Sequence, residues 1–445
     1  MTMTTDLPQA SPIDQLLTTR TKGLRLVDPV PLSELRESLA NCPRPLTDEL
    51  FSWPLFTLDD AALAQNINCL AGLCAQRGVL HSPHVKTPMS AQIWARQSAA
   101  GAWAATVATP HQMRTAIDWG AHRVMLANEL VDPRDAGWLV RALQANAALE
   151  VYLQIDSQFG INVLQAAGAA SLANLHVLVE HGVPGGRTGV RGLAHTASLA
   201  QSIACAGLQL SGVTGYEAPA AGHDEDREGL AAWCDQLIEV ARAVEEIVGT
   251  HTSTPDMIVS AGGSAYVDIV LDKLAPLGAP SPFGENVQLV IRSGAYVTHD
   301  HGRYARVNPL ARLETPEPLV PAITVYTQVL STPEPGLAFL DAGRRDLAFD
   351  IDLPIPLWYR SALTADTAGL GPRVQFAPGT IAVTELNDQH TFLGGVGTQL
   401  LKPGDIVGLG VSHPCTVFDK WRIGVVTRQD FADQPVACDI YGFDF

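Results

Sequence analysis

Between about residues 79 and 296 the chain alternates short, β-prone apolar runs with amphipathic helical stretches, and that alternation restricts its fold more than any other feature. The runs fall at 79–85, 104–108, 123–127, 149–156, 174–181, 208–214, 257–260 and 287–292. Strands that must be buried on both faces read as continuous apolar runs, as these do, because helices cover the outside of a parallel sheet. Among the intervening stretches, 229–248 is the clearest, with Trp233, Leu237, Val240, Val244 and Ile247 recurring at helical spacing. Eight such units predict an α/β fold built on a TIM-type (β/α)8 barrel.

After about residue 310 the texture changes to prolines and alternating strands, at 322–330, 337–341, 374–376, 406–411 and 421–426. A second, C-terminal β-rich domain is therefore expected, which also suits a chain of 445 residues. The division predicted is an N-terminal extension over 1–50, a barrel over 51–310 and the β-rich domain over 311–445. Asp59 is placed to cap the helix that precedes the first barrel strand.

Composition narrows the function classes. A formal charge of −17 repels phosphate backbones and anionic lipid, so neither nucleic acid nor a membrane is an expected partner. The first residues, Met1-Thr2-Met3-Thr4-Thr5-Asp6, have neither a basic nor an apolar signal region, and a cytoplasmic location is expected. The seven cysteines are scattered, so no disulfide framework is expected and most should serve as small core residues.

In a barrel of this kind the chemistry collects just after the strands, at their carboxyl ends. Lys86 follows the first run, Arg187 the fifth, Tyr216 the sixth, the turn Gly262-Gly263-Ser264 the seventh and Tyr296 the eighth. An amine held there with its stem buried suits a Schiff base with a carbonyl cofactor or substrate, although a surface lysine on a loop reads the same way. The glycine turn precedes a helical stretch, where amides and the Ser264 hydroxyl could cradle a phosphate, or the turn could simply be tight. In the β-rich part, His413 and Cys415 in Ser412-His413-Pro414-Cys415 are separated by one residue and so point to one side of an extended segment. They could reach one open, catalytic metal ion, or be packing residues. His299 and His301 form a similar pair, kept as an alternative metal site.

The ordered set Pro83-His84-Val85-Lys86-Thr87, Gly185-Gly186-Arg187-Thr188-Gly189, Ser260-Ala261-Gly262-Gly263-Ser264, Arg292-Ser293-Gly294-Ala295-Tyr296, Leu340-Asp341-Ala342-Gly343 and Ser412-His413-Pro414-Cys415 resembles the D-serine dehydratase and D-threonine aldolase family. These are pyridoxal-phosphate enzymes with an alanine-racemase-like barrel (fold type III). The resemblance runs from about Pro54 to Val426. It implies that Lys86 carries pyridoxal 5'-phosphate in Schiff-base linkage and acts as the base at the α-carbon, and that Arg187 donates to the pyridine nitrogen. It further implies that Gly262, Gly263, Ser264 and Tyr296 hold the phosphate, that Tyr216 is an active-site tyrosine touching cofactor and substrate, and that His413 and Cys415 hold a metal.

Within the family the dehydratases resemble His-x-Cys zinc proteins, whereas the aldolases carry aspartate in place of the cysteine and use harder ions, in line with the preference of thiolate for zinc. Cys415 therefore points to zinc-assisted elimination of water from D-serine or a related D-β-hydroxy amino acid, giving a 2-keto acid and ammonia. The alternatives are retro-aldol cleavage to glycine and an aldehyde, with another divalent metal, and a non-catalytic pyridoxal-phosphate carrier. A racemase would need a second base and has no use for the metal pair. The resemblance also implies a head-to-tail homodimer, in which His413 and Cys415 could serve the partner's Lys86. Two segments depart from the family pattern: 179–184, which puts His181 where the cofactor's surroundings would change, and Asp388-Gln389-His390-Thr391, where His390 could approach the site.

Overall fold

The structure, a computed structural model, describes residues 14–223, 226–251, 257–278, 280–283, 287–313, 317–362, 370–429 and 434–445. The first thirteen residues, and with them Met1–Asp6, on which the expected location rests, lie outside the described part.

Eight parallel strands form the predicted sheet: Leu80–His81, Ala105–Val107, Arg123–Glu129, Glu150–Ile155, Leu175–His181, Leu210–Gly215, Met257–Ala261 and Val287–Ile291. The first pairs with the last, and each of the others with its sequence neighbours. The ring closes between the first two strands through a parallel bridge from His84 to Thr106, with the Thr106 amide donating to the Pro83 carbonyl at 2.9 Å and the Val85 amide to the Thr106 carbonyl at 2.9 Å. The first strand is shorter than its apolar run because Pro83 has no amide to give to a ladder.

Side chains on these strands alternate between two buried environments. Val124, Leu126, Val151, Leu153, Val177, Val179, Val259, Leu289 and Ile291 belong to the large core shared with the surrounding helices. The opposite parity fills the barrel in layers. Met125, Tyr152, Leu178, Ile258 and Val290 form a separate apolar cluster, with Leu80 and Trp103 packed against it. Towards the amino ends of the strands, Trp103 lies 4.9 Å from Tyr152 between ring centroids, and Tyr152 stacks on His176 at 4.2 Å. Two residues further along each strand the same face carries Ser82, Gln154, Glu180, Ser260 and Arg292, so the barrel turns from oily to polar within one pleat.

The helices follow their sequence signals. Asp59 caps Asp60–Arg77 by accepting from the Ala62 amide at 2.8 Å, and Gly78, at φ 62°, ends it in the left-handed conformation. The helix predicted over 229–248 spans Arg227–His251, with Trp233, Leu237, Val240 and Val244 buried. Among the described residues no helix is long and apolar enough to cross a membrane.

The rest of the chain forms a mostly antiparallel sheet built around Ile323–Glu334, which pairs with Ile406–Gly410 on one side and Leu55–Asp59 on the other. Leu55–Asp59, which the sequence division puts with the barrel, thus lies in this sheet, beside Ile423–Gln429 in parallel register. The N-terminal segment joins it too, through Arg44–Pro45, while Lys22 reaches Asp346 at 2.8 Å and sits over the Trp421 ring. Within 311–445, four strands not read from the sequence are present among the described residues: Ile355–Arg360, Ala382–Leu386, Thr391–Gly394 and Pro435–Gly442. All seven cysteines are free thiols. The expectation that most are core residues is corrected: Cys69, Cys74 and Cys234 are buried, Cys42 and Cys205 are exposed, and Cys415 and Cys438 are half-buried.

Candidate active site

The polar end of the barrel opens into a cavity of about 290 Å³ whose wall includes Lys86, Arg187, Tyr216, Gly263, Ser264, His413 and Cys415. Five of those seven positions come from four different loops after barrel strands, and His413 and Cys415 come from the β-rich part. His413 and Cys415 therefore meet the Lys86 of their own chain. Thr87 Oγ1 lies 3.4 Å from Cys415 Sγ and ties the lysine loop to the segment of His413 and Cys415.

Burial lowers the pKa of Lys86 below that of a free lysine; Cys415 works against the shift, and Arg187 and Arg292 reinforce it. A lysine so placed becomes a neutral, nucleophilic amine at a lower pH than an exposed one. His84, two residues before it on the same wall, is held well below the usual histidine range by burial and by Lys86, and its Nδ1 has no partner among the described residues. The Arg187 guanidinium lies 4.6 Å from the centroid of the Tyr216 ring.

Beneath these groups Arg292 is almost fully buried, at 7% exposure. Its Nη1 donates to Thr214 Oγ1 and, at 3.2 Å, to Ser260 Oγ, and its Nη2 donates to the Gly215 carbonyl at 2.6 Å. Thr214 also accepts from Gln154 Nε2 at 3.1 Å. Burial lowers the pKa of Arg292, while the carboxylates of Glu217 and Glu180 oppose that shift. Glu180 accepts from Thr188 Oγ1 at 2.8 Å, its other oxygen has no partner among the described residues, and burial raises its pKa. The sequence reading did not single out Gln154, Glu180, Arg292, Glu217 or Arg303. For Gln154, Glu180 and Arg292 the signal was a polar residue at the carboxyl end of an apolar run, in register with its inward face; Glu217 and Arg303 lie beyond the strands, where no such register marks them.

Three of the four expected phosphate-binding residues are placed differently. The amides of Gly262 and Gly263 donate to the buried Glu217 carboxylate, at 3.1 and 2.7 Å, so they are already matched. Tyr296 is buried away from the cavity, its ring against His81 at 5.2 Å and its hydroxyl accepting from Gln97 Nε2 at 3.0 Å. Gly263 has a steric role as well, since a Cβ there would sit 2.7 Å from the Tyr216 ring. Ser264 suits an anion better: its Oγ accepts from the amides of Gly294 and Ala295, both at 3.0 Å, which leaves its proton to donate. With Lys86 on the same wall and room for a ring between them, these residues fit pyridoxal phosphate.

Around the expected metal pair, His413 Nδ1 donates to Asp350 Oδ2 at 2.7 Å, and Asp350 Oδ1 accepts from Thr416 Oγ1 at 2.6 Å. The Asp350 contact fixes the ring and turns Nε2 towards Cys415. Burial lowers the pKa of His413, but Cys415 and Asp350 outweigh it and push the value to about 9; burial raises Cys415, and His413, Thr87 and Lys86 bring it below the ordinary thiol. No group of three or more His, Cys, Asp or Glu side chains is assembled for a metal among the described residues. The imidazole and thiolate pair fits a soft divalent ion whose other positions are left to water or substrate. The alternative pair is not built for one: His299 Nδ1 lies 2.7 Å from the Asp300 carbonyl with its ring against Tyr304, and His301 is packed under Gly410. His181 turns to Thr196 at 3.2 Å, and His390 is exposed in the turn between two outer strands, so neither lines the cavity.

Residues 322–427 match the family described as "Putative serine dehydratase domain". The chain is thus similar, over most of its length, to proteins of the D-serine dehydratase and D-threonine aldolase-like family. It is 24% identical to a D-threonine aldolase of Arthrobacter sp over 393 residues, which is 88% of this chain and 93% of that protein. The fold is that of D-threonine aldolase from Filomicrobium marinum, with a TM-score of 0.70 at 21% identity, covering 90% of this chain and 97% of the other. A variant of D-threo-3-hydroxyaspartate dehydratase superposes with a TM-score of 0.69 at 19% identity over 92% of this chain and 99% of the other. The solved variants of that dehydratase replace a histidine and, two positions later, a cysteine by alanine, the second being metal-free.

Proposed function

We propose that this chain belongs to that family and is a pyridoxal-phosphate- and zinc-dependent dehydratase acting on a D-β-hydroxy amino acid, D-serine or D-threo-3-hydroxyaspartate. The observation that carries the reading is the meeting of Lys86 with the His413 and Cys415 pair in one cavity of one chain. Supporting it, the dehydratase variants name a histidine and a cysteine at the same spacing as this pair.

When bound, pyridoxal phosphate supplies an electron sink for the α-carbon, and zinc a Lewis acid for the β-oxygen. Lys86 would hold the cofactor and then take the α-proton on Nζ, a task suited to an amine whose pKa burial has lowered. Ser264 would donate its hydroxyl proton to the cofactor phosphate. Arg187 would face the ring nitrogen, and Tyr216, packed between Arg187 and Gly263, would limit the ring's freedom to tilt. His413 and Cys415 would hold the ion, with Asp350 keeping the imidazole in place. Arg303 also lines the cavity and adds positive charge for a substrate carboxylate.

The aldolase reading rests on the Arthrobacter relative, which matches over most of both chains. A homodimer belongs to either reading; Phe349, Ile351 and Leu353 flank Asp350 and are exposed at 44, 36 and 37%, an apolar strip for a second copy. The deciding experiment loads the protein with pyridoxal phosphate and zinc and offers it a panel of D- and L-β-hydroxy amino acids. Keto acid and ammonia from a D-substrate support the dehydratase. Glycine and an aldehyde without keto acid give the aldolase, and cofactor binding without turnover of any substrate gives the carrier.

A further inference from the structure

A second cavity, of about 390 Å³, shares Val307 with the first, and the short helix Arg303–Val307 contributes Arg303 to one and Arg306 to the other. Its wall brings together Arg227, Arg306 and Arg312, from three separate elements, over an apolar floor of Leu230, Ile269 and Val307. Three guanidiniums in one hollow are notable in a chain whose formal charge is −17. We propose that this cavity binds a small organic phosphate monoester.

The arginines are held ready for such a ligand. Arg227 Nη1 and Arg312 Nε both donate to one oxygen of Asp268, at 2.9 and 2.7 Å, and the Asp268 side chain is fully buried. One carboxylate offsets only one of the two guanidiniums, while it fixes the orientation of both. Asp268 Oδ1 has no partner among the described residues. Arg312 Nη1 donates to the Val307 carbonyl at 3.0 Å, which ties the cluster to the shared wall. Among the described residues Arg306 pairs with Asp352, at 2.8 Å, itself 44% exposed, and an exposed pair of this kind is easily exchanged for a better anion.

The remaining N–H groups of three planar forks match the tetrahedral oxygens of phosphate better than a lone lysine would. The apolar floor and the volume exceed what a bare phosphate ion needs, so the cavity suits an ester with a carbon body. The site is separate from the cofactor cavity, and the inference does not depend on the proposed reaction.

The test is calorimetric titration of the full chain, saturated with pyridoxal phosphate, with phenyl phosphate, inorganic phosphate and benzoate as probes. Phenyl phosphate binds most tightly of the three and loses affinity as salt is raised. Arg306→Gln and Arg227→Gln each weaken it about tenfold or more, since each removes a charge-assisted hydrogen bond. Ser264→Ala leaves it unchanged. Arg306 is 57% exposed, so its variant is expected to fold normally even if Arg227→Gln, which disturbs Asp268, does not. The absence of binding to the wild type overturns the proposal. So do undiminished binding to Arg306→Gln and loss of binding in Ser264→Ala, which would place the anion in the first cavity, and benzoate binding as tightly as phenyl phosphate.

Discussion

The two layers inside the barrel are one pleat apart and do opposite work. Met125, Tyr152, Leu178, Ile258 and Val290 form an apolar plug in which the side chains meet mainly one another. One step further along the same strands, Gln154, Glu180, Ser260 and Arg292 form a charged network with Thr214 and Glu217, and the unmatched oxygen of Glu180 and nitrogen of His84 border a cavity. The lower layer gains free energy by leaving water, while the upper one forgoes that gain to keep charged and titratable groups at a fixed place. A barrel of this kind separates stability from chemistry along the strand axis.

That separation can be broken by single changes. Replacing Lys86 by Met should lower kcat/KM by about 10³-fold or more, since it removes both the proposed anchor of the cofactor and the proposed base. Its melting temperature should be unchanged or higher, because a buried amine is replaced by an apolar chain; a large loss of stability would show that the upper layer holds the fold together. Leu178→Ala is the mirror experiment. Leu178 is fully buried, and its truncation should cost about 2–5 kcal/mol in a denaturant titration. The folded fraction should keep its reaction with the cofactor. Smaller in effect, Asp350→Asn should reduce zinc affinity about 10–100-fold in competition with a chelator, because the hydrogen bond that orients His413 is weakened. Cofactor binding should be unaffected, which would set the metal side of the cavity apart from the lysine side.

The sequence made the barrel legible because its strands are buried on both faces and mostly apolar, and each run lies within a few residues of an observed strand. The β-rich sheet was only half legible. Ile355–Arg360 carries Pro356 and is only partly buried along most of its length, Ala382–Leu386 is exposed at three of its five positions, and Pro435–Gly442 begins at a proline. Leu55–Asp59 is separated by most of the chain from the strands it pairs with, so no local pattern reveals its sheet.

In the site, Lys86, Arg187, Tyr216, Ser264, His413 and Cys415 could be read from their motifs, and the structure brings them to one cavity. Tyr296 and the amides of Gly262 and Gly263 were legible only as positions after strands. Where a side chain points, and that Glu217 takes those two amides, depends on packing that spacing alone does not express.

The central claim is that Lys86 is the reactive amine of the upper layer. Incubation with pyridoxal phosphate, reduction with borohydride and mapping of the labelled peptide test it directly. The account predicts one phosphopyridoxyl label, on Lys86, whose yield rises with pH and reaches its plateau below the pH at which free lysine loses its proton, because burial lowers the Lys86 pKa. A label spread over other lysines, or no label at any pH, would contradict it.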